Sequence, residues 1–188
     1  FQVSGYRGIG LKSKYSFARV LYENLFRRVY SNKDAGRIYY IGENPDLRGY
    51  MKVLEDLGGA DITIVGVGSN GHIGYNEAGE DYNEEECGRL KLVHLKESTI
   101  SSNVESYPGI VDNPWAYTMS LGDILKSRKI FLFANGKRKS QVVKDVFASA
   151  PQRNIPVAKL VEHTNVTVVL DRQAVDDLAP NFISRYAQ

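Results

Sequence analysis

Cysteine is almost missing from this chain: Cys87 is the only one in 188 residues. A single cysteine excludes an internal disulfide framework and a cysteine-built zinc site. Long apolar runs are missing too, and nothing approaches the ~20 residues of a membrane span. The opening Phe1-Gln2-Val3-Ser4-Gly5-Tyr6-Arg7-Gly8 lacks the charged start and apolar centre of a signal peptide, so a cytoplasmic location is the default expectation. Charge of one sign is scarce, because 24 Lys plus Arg against 22 Asp plus Glu leaves a formal charge of +2. That is too little to argue for a nucleic acid or a membrane surface as partner. The chain also lacks an initial methionine, as a fragment of a longer protein would. What remains is an ordinary globular composition, 43% hydrophobic and 24% charged, at a length that suits one domain.

Helix-period and strand-like segments alternate along the chain. Phe17, Val20, Leu21, Leu25 and Val29 fall on one helical face, with Ser13 or Ser16 as cap and Asn32 and Gly36 as stop signals. Arg37-Ile38-Tyr39-Tyr40-Ile41 reads as a strand, and Leu47, Tyr50, Met51, Leu54 and Leu57 as a second helical stripe closed by Gly58-Gly59. Asp61 to Val67 is apolar and β-branched, as in a strand buried on both faces of a parallel sheet. Further strands are expected at Leu90–Leu95, Thr118–Ser120, Lys129–Ala134 and Thr164–Leu170. A helix is expected from Lys139 to Ser149, with Val142, Val143, Val146 and Phe147 inward. Gly79–Gly88, which contains Glu84-Glu85-Glu86, reads as a solvated loop, and Ser98–Trp115 as an irregular segment of the kind that covers a site. This alternation predicts an α/β fold, a mostly parallel sheet with helices on both sides.

In such sheets ligands bind beyond the carboxyl ends of the strands. There the sequence places Gly66-Val67-Gly68-Ser69-Asn70-Gly71-His72-Ile73-Gly74-Tyr75-Asn76-Glu77-Ala78-Gly79. Gly66, Gly68 and Gly71 spell GxGxxG, but a dinucleotide loop must open a helix, and Gly74, Asn76 and Gly79 are poor helix residues. What the segment does hold is a histidine and a carboxylate five positions apart on a glycine-rich turn. A histidine moves protons near neutral pH, and a nearby glutamate can orient it.

The same segment closely resembles the GxGxDGHIAFNEPG signature of glucosamine-6-phosphate deaminases, and the related galactosamine-6-phosphate isomerases carry NGH, as Asn70-Gly71-His72 does. Phe1 to Ile9 is similar to the family's F-x-M-D-E-Y-x-G-L. Thr118 to Leu125 is similar to its T-x-G-x-x-x-L-L, and Gly136-Lys137-Arg138-Lys139 to its G-x-x-K phosphate site. Four segments in the family's order run from Phe1 to Lys139. The resemblance implies a Rossmann-like three-layer sandwich, read as one domain that lacks its N-terminal strand and helix.

The chemistry implied is conversion of a hexosamine 6-phosphate to a ketohexose 6-phosphate and ammonia, with no cofactor and no metal. The resemblance makes His72 the group that trades protons during ring opening, with Glu77 and Asn70 holding its imidazole. Asn70 replaces an aspartate of the deaminases, so it can hydrogen-bond the ring without adding charge. Lys139 and Gly136 are implied at the phosphate, where a cation and a helix N-terminus suit a dianion. Gly68, Gly71 and Ser4 complete the implied substrate-binding set. 6-Phosphogluconolactonases share the GxGxDGH core, but Ile73-Gly74-Tyr75-Asn76-Glu77 follows the amino-sugar branch.

Three departures bear on activity. The family's carbon-proton base, an aspartate, falls at Ser4, with Gly5 beside it where a glutamate is usual. A hydroxyl cannot replace a carboxylate there, and such bases contribute about 100- to 10,000-fold, so very low turnover or a catalytically inactive sugar-phosphate-binding module is expected. The family's Gly-Ser/Thr phosphate loop would lie upstream of Phe1, and an arginine of the family falls at Thr99. Asn165-Val166-Thr167 spells a sequon but sits in an expected strand. His94 and His163 read as surface or strand-end residues and Trp115 as a packing anchor, while the twelve tyrosines could serve contacts in a homo-oligomer.

Overall fold

The computed structural model describes residues 1–29, 38–79, 88, 90–106, 114–147 and 155–178. In chain order the elements are β1 (Ser4–Tyr6), α1 (Phe17–Leu21), α2 (Arg27–Val29), α3 (Leu47–Asp56), β2 (Ile62–Gly66), β3 (Leu90–His94), α4 (Glu97–Ser106), β4 (Trp115–Met119), α5 (Leu121–Leu125), β5 (Lys129–Ala134), α6 (Ser140–Phe147), α7 (Pro156–Val161) and β6 (Val166–Leu170). They form two compact units, Phe1–Gly58 with Glu86–Ser120 and Gly59–Glu85 with Leu121–Gln188. Among the described residues no helix is long and apolar enough to cross a membrane.

The first unit contains an antiparallel sheet in the order β1-β4-β3. Its register lines up Ser4, Thr118 and Lys91 in one cross-strand row. Ser16 caps α1, its hydroxyl accepting from the Arg19 N–H at 3.3 Å. The expected five-residue apolar stripe is interrupted, because a π-helical turn, Tyr22–Phe26, separates α1 from α2. A π turn alters the angular step that the 3.6-residue period assumes, and Leu25 is 47% exposed. Ile38–Ile41 does not join a sheet ladder. Gln2 takes the place of a partner strand instead: its N–H donates to the Tyr39 carbonyl, and its Oε1 accepts from the Ile41 N–H, both at 3.1 Å. Arg37, Asn32 and Gly36 lie outside the described residues.

α3 follows its stripe and is capped by Asp46, whose carboxylate accepts from the N–H groups of Arg48 and Gly49 at 3.2 and 3.0 Å. The segment from Ser98 onward corrects the irregular reading, since α4 occupies Glu97–Ser106. The Lys96 carbonyl starts this helix by accepting from the N–H groups of Thr99 and Ile100, both at 2.9 Å. Four serines and an asparagine dilute its apolar period, which is why hydrophobic spacing missed it. Residues 107–113 and most of the expected Gly79–Gly88 loop, Cys87 included, lie outside the described residues.

The second unit contains a parallel sheet in the order β2-β5-β6. Val65, Leu132 and Val168 stand abreast in one row, and Ile64, Phe131 and Thr167 in the next. α6 and α7 cover the first face. Val67, Leu132 and Ala134 from the sheet side line the same interior space as Val142, Val146 and Val157 from the helices. The valine and leucine side chains each contribute about 1.5–3 kcal/mol when fully buried. The expectation of burial on both faces fails for β2, where Ile62 is 58% and Ile64 64% exposed. Side chains alternate along a strand, so only the set facing α6 and α7 is enclosed, and Phe133 and Val169 share the open side. Val67 continues the alignment beyond β2, its N–H donating to the Phe133 carbonyl at 3.2 Å.

Candidate active site

After β2 the chain enters no helix. Residues 67–79 fold back in turns, with isolated bridges pairing Val67 with Ile73 and Ile73 with Asn76. The Gly68 N–H donates to the His72 carbonyl at 2.9 Å, and the Gly71 N–H to the Gly68 carbonyl at 3.0 Å. Asn76 secures the far end, its Nδ2 donating to the Ile73 carbonyl at 3.0 Å. The Gly71 carbonyl accepts from the Val157 N–H at 3.1 Å, which ties the loop to the start of α7.

Two glycines are needed for this path. Gly71 has φ +86°, and a Cβ there would come within 2.2 Å of the Ile155 side chain. At Gly68 a Cβ would stand 2.2, 2.3 and 2.6 Å from three atoms of the His72 imidazole, so the ring lies against bare backbone.

Asn70 joins the two chemical groups of the loop. Its Nδ2 donates to Glu77 Oε2 at 3.1 Å, which turns its Oδ1 toward His72. That oxygen accepts from the His72 backbone N–H at 3.2 Å and lies 2.7 Å from Nδ1. Because Oδ1 can only accept, Nδ1 carries the proton and Nε2 the lone pair. Glu77 is fully buried, its carboxylate 3.8 Å from Nδ1. Burial lowers the His72 pKa from the ordinary 6.5; the Glu77 charge opposes that shift and the Lys139 charge adds to it. The ring is therefore a neutral imidazole near neutral pH, able to accept a proton at Nε2.

Lys139 and Gly136 belong to the turn between β5 and α6, where Lys137–Lys139 form one 3-10 turn. Lys139 is half-buried, and desolvation, together with the Arg138 charge, lowers its pKa from the usual lysine value. Lys137 faces away from this role, with its ammonium 3.0 Å from Asp177 and 3.5 Å from Asp176. The Gly136 N–H is engaged by the Asp171 carboxylate, at 3.0 and 2.9 Å from its two oxygens.

Asn70, His72, Glu77, Gly68 and Gly71 are thus gathered in one loop, and Lys139 lies within electrostatic reach of His72. Ser4 stands in the first unit, at the start of β1, where its carbonyl accepts from Gln2 Nε2 at 2.6 Å. Thr99 is buried in the same unit. Trp115 is a partly exposed strand residue packed edge-on against His94, with ring centres 4.9 Å apart. His163 is fixed at a strand approach, Nε2 being 2.9 Å from the Ser127 carbonyl while Nδ1 accepts from the Asn165 N–H at 3.1 Å. Sequence reading overlooked Tyr75, whose ring centre is 6.3 Å from that of His72, and Asp171, Asp176 and Asp177 around the lysine turn. The one signal for the aspartates is their place directly after the last strand.

Known proteins resemble this chain over most of its length. The family described as glucosamine-6-phosphate isomerases/6-phosphogluconolactonase matches residues 7–170. Glucosamine-6-phosphate deaminase 2 of Bacillus subtilis (strain 168) is 32% identical over 185 residues, covering 95% of this chain and 72% of the relative. The glucosamine-6-phosphate deaminase of Bacillus velezensis is 34% identical over 174 residues, covering 90% and 70%. Among solved structures, a monomeric glucosamine-6-phosphate deaminase superimposes with a TM-score of 0.81 at 30% identity, covering 92% of this chain and 71% of that one. A 6-phosphogluconolactonase from Trypanosoma brucei superimposes at 0.64 with 20% identity, covering 95% and 73%, a likeness of fold alone.

Proposed function

Starting from a chain that belongs to the glucosamine-6-phosphate isomerase/6-phosphogluconolactonase family, we propose an amino-sugar 6-phosphate site of the isomerase-deaminase kind. The observation that carries this reading is the Asn70 amide, which bridges the His72 imidazole and the buried Glu77 carboxylate. Opening a hexosamine ring requires removing the proton of the anomeric hydroxyl and delivering one to the ring oxygen. The Nε2 lone pair of His72 takes the first proton, and the imidazolium so formed supplies the second. Glu77 stabilises the imidazolium by charge across 3.8 Å, while Asn70 holds the ring in place. Lys139 supplies the cation for the 6-phosphate, and desolvation of both partners strengthens their attraction.

The later steps move a proton from C2 to C1 and hydrolyse the resulting C2 imine, consuming one water and releasing ammonia. The resemblance assigns the C2 base to the position of Ser4, whose hydroxyl does not abstract a carbon-bound proton near neutral pH. This favours slow turnover, or a module that binds and opens the sugar without completing the reaction. Incubation of the protein with glucosamine 6-phosphate in heavy water tests both halves. Loss of the C2 proton signal reports the carbon step, and ammonia release reports completion. Saturable binding with neither signal is the outcome expected of a binding module, and absence of binding overturns the reading.

A further inference from the structure

The turn that carries Lys139 is fastened at both ends by the chain that follows β6. At its start, the Gly136 N–H meets both oxygens of Asp171, and the same carboxylate accepts from the Ala174 N–H at 2.8 Å. Asp171 is itself anchored, its N–H donating to the Ala134 carbonyl at 3.3 Å. At its end, the Ser140 hydroxyl lies against Asp177 and 2.8 Å from the Lys137 carbonyl. Asp177 also takes the Lys137 ammonium at 3.0 Å, with Asp176 close by. Hydrogen bonds to ionised groups of this kind are the stronger ones in proteins.

These ties sort the lysines of the turn. Lys137 is neutralised by two aspartates. No carboxylate among the described residues pairs with Lys139, although its ammonium is half-buried and desolvated. An ammonium in that condition is costly to keep out of water, and a loose turn would rotate it into solvent. The Lys139 charge is nonetheless held where it acts on His72.

We propose that Asp171 and Asp177 are positioning residues, which clamp the Gly136–Ser140 turn so that Lys139 keeps its half-buried place near the His72 loop while Lys137 stays paired with Asp176 and Asp177. The clamp rests on the reading of Lys139 as the phosphate ligand only for its effect on substrate. Its effect on His72 is independent of any ligand.

The test uses the full chain with Asp171→Asn and Asp177→Asn, each alone and combined with Lys139→Ala, and follows the His72 ring resonances by NMR as pH is varied. Lys139→Ala removes a cation, so His72 titrates at higher pH. If the aspartates act by placing Lys139, each single aspartate variant also moves His72 upward, and neither adds to the shift in the Lys139→Ala background. A direct charge effect has the opposite sign, because losing an anion disfavours the imidazolium and releasing Lys137 does the same. Ser140→Ala cuts the Asp177 tie without changing any charge, and it gives the upward shift even if an aspartate variant fails to fold. With glucosamine 6-phosphate as probe, Asp177→Asn binds about 5- to 30-fold more weakly than the parent, and Asp177→Asn with Lys139→Ala no more weakly than Lys139→Ala alone. His72 unmoved or lowered in all three single variants overturns the clamp, as do additive effects in the combined variants. If the upward shifts occur but the parent and Lys139→Ala bind glucosamine 6-phosphate equally, the clamp stands and the phosphate reading fails.

Discussion

Asn70 presents its carbonyl oxygen to Nδ1 of His72 at 2.7 Å and its amide nitrogen to the Glu77 carboxylate at 3.1 Å. The amide therefore transmits position from a buried anion to an imidazole without adding charge of its own. It fixes the tautomer and ring orientation, and leaves Glu77, farther off, as the electrostatic partner of a protonated ring.

Replacing that amide by a carboxylate separates the two roles. Asn70→Asp keeps the oxygen beside Nδ1 and adds a negative charge, which favours the imidazolium. His72 in the variant titrates at higher pH than in the parent, and NMR titration of the ring reads this directly. An unchanged or lower value means that the new carboxylate is itself protonated beside Glu77.

His72→Gln keeps a polar side chain of similar reach but removes the titrating group. Where the parent turns over glucosamine 6-phosphate, the rate falls about 100- to 10,000-fold in the variant while the dissociation constant changes little, because the lost step is proton transfer. Calorimetry and an ammonia assay on the same preparations separate the two. Equal turnover in parent and variant removes His72 from the mechanism.

Ser4→Asp restores a carboxylate where the family resemblance puts the carbon base. The rate of C2 proton exchange on glucosamine 6-phosphate rises in the variant, by about 100-fold or more where base catalysis is limiting. Rapid exchange already present in the parent assigns that work to another group, with Glu77 the first to examine.

Folding stability carries the signature of His72 as well. Its folded pKa lies below the ordinary 6.5, so between those two values the unfolded chain binds a proton that the folded chain refuses. Stability from this source is complete above 6.5 and declines as pH falls toward the folded value. Urea unfolding at about pH 7.5 and 5.5 shows a smaller loss for His72→Gln than for the parent. A larger loss in the variant contradicts the depressed value.

Gly68→Ala tests the seat of the ring. The added methyl occupies the space of the imidazole, so the ring must leave Asn70 or the loop must shift. A stability loss of about 1–3 kcal/mol is expected from overpacking, with turnover reduced as in His72→Gln. A fully active, undiminished variant shows that the ring does not lie on Gly68.

The parts of this molecule that sequence made legible share one property: the signal was local. β5 was readable because five apolar residues, Ile130 to Ala134, lie between Lys129 and Asn135, and α3 because Leu47, Tyr50, Met51, Leu54 and Leu57 keep one helical face up to Gly58. The loop from Gly66 to Gly79 was readable from the kinds of residue it holds and from its resemblance to a known signature. What escaped depends on distant groups. Gln2 completing the hydrogen bonding of Tyr39 and Ile41 has no trace in local spacing, and neither does Asp171 reaching back 35 positions to Gly136. The open side of β2 escaped for the same reason, since Ile62 and Ile64 read alike whether or not a helix lies over them. α4 escaped because its serines hide the helical period.

Asn70 is followed by Gly71, the neighbour that least hinders a backbone nitrogen from attacking a side-chain amide. In a flexible chain such a pair closes to a succinimide, loses ammonia, and reopens with water as aspartate or isoaspartate. Here the Gly71 N–H is tied to the Gly68 carbonyl at 3.0 Å, and the Asn70 amide is gripped at both ends by His72 and Glu77. The fold thus acts as a preservative. Each excursion through the unfolded state exposes the pair to irreversible chemistry, so an ageing preparation drifts toward molecules with an acid beside His72, or with an extra carbon in the backbone of its loop.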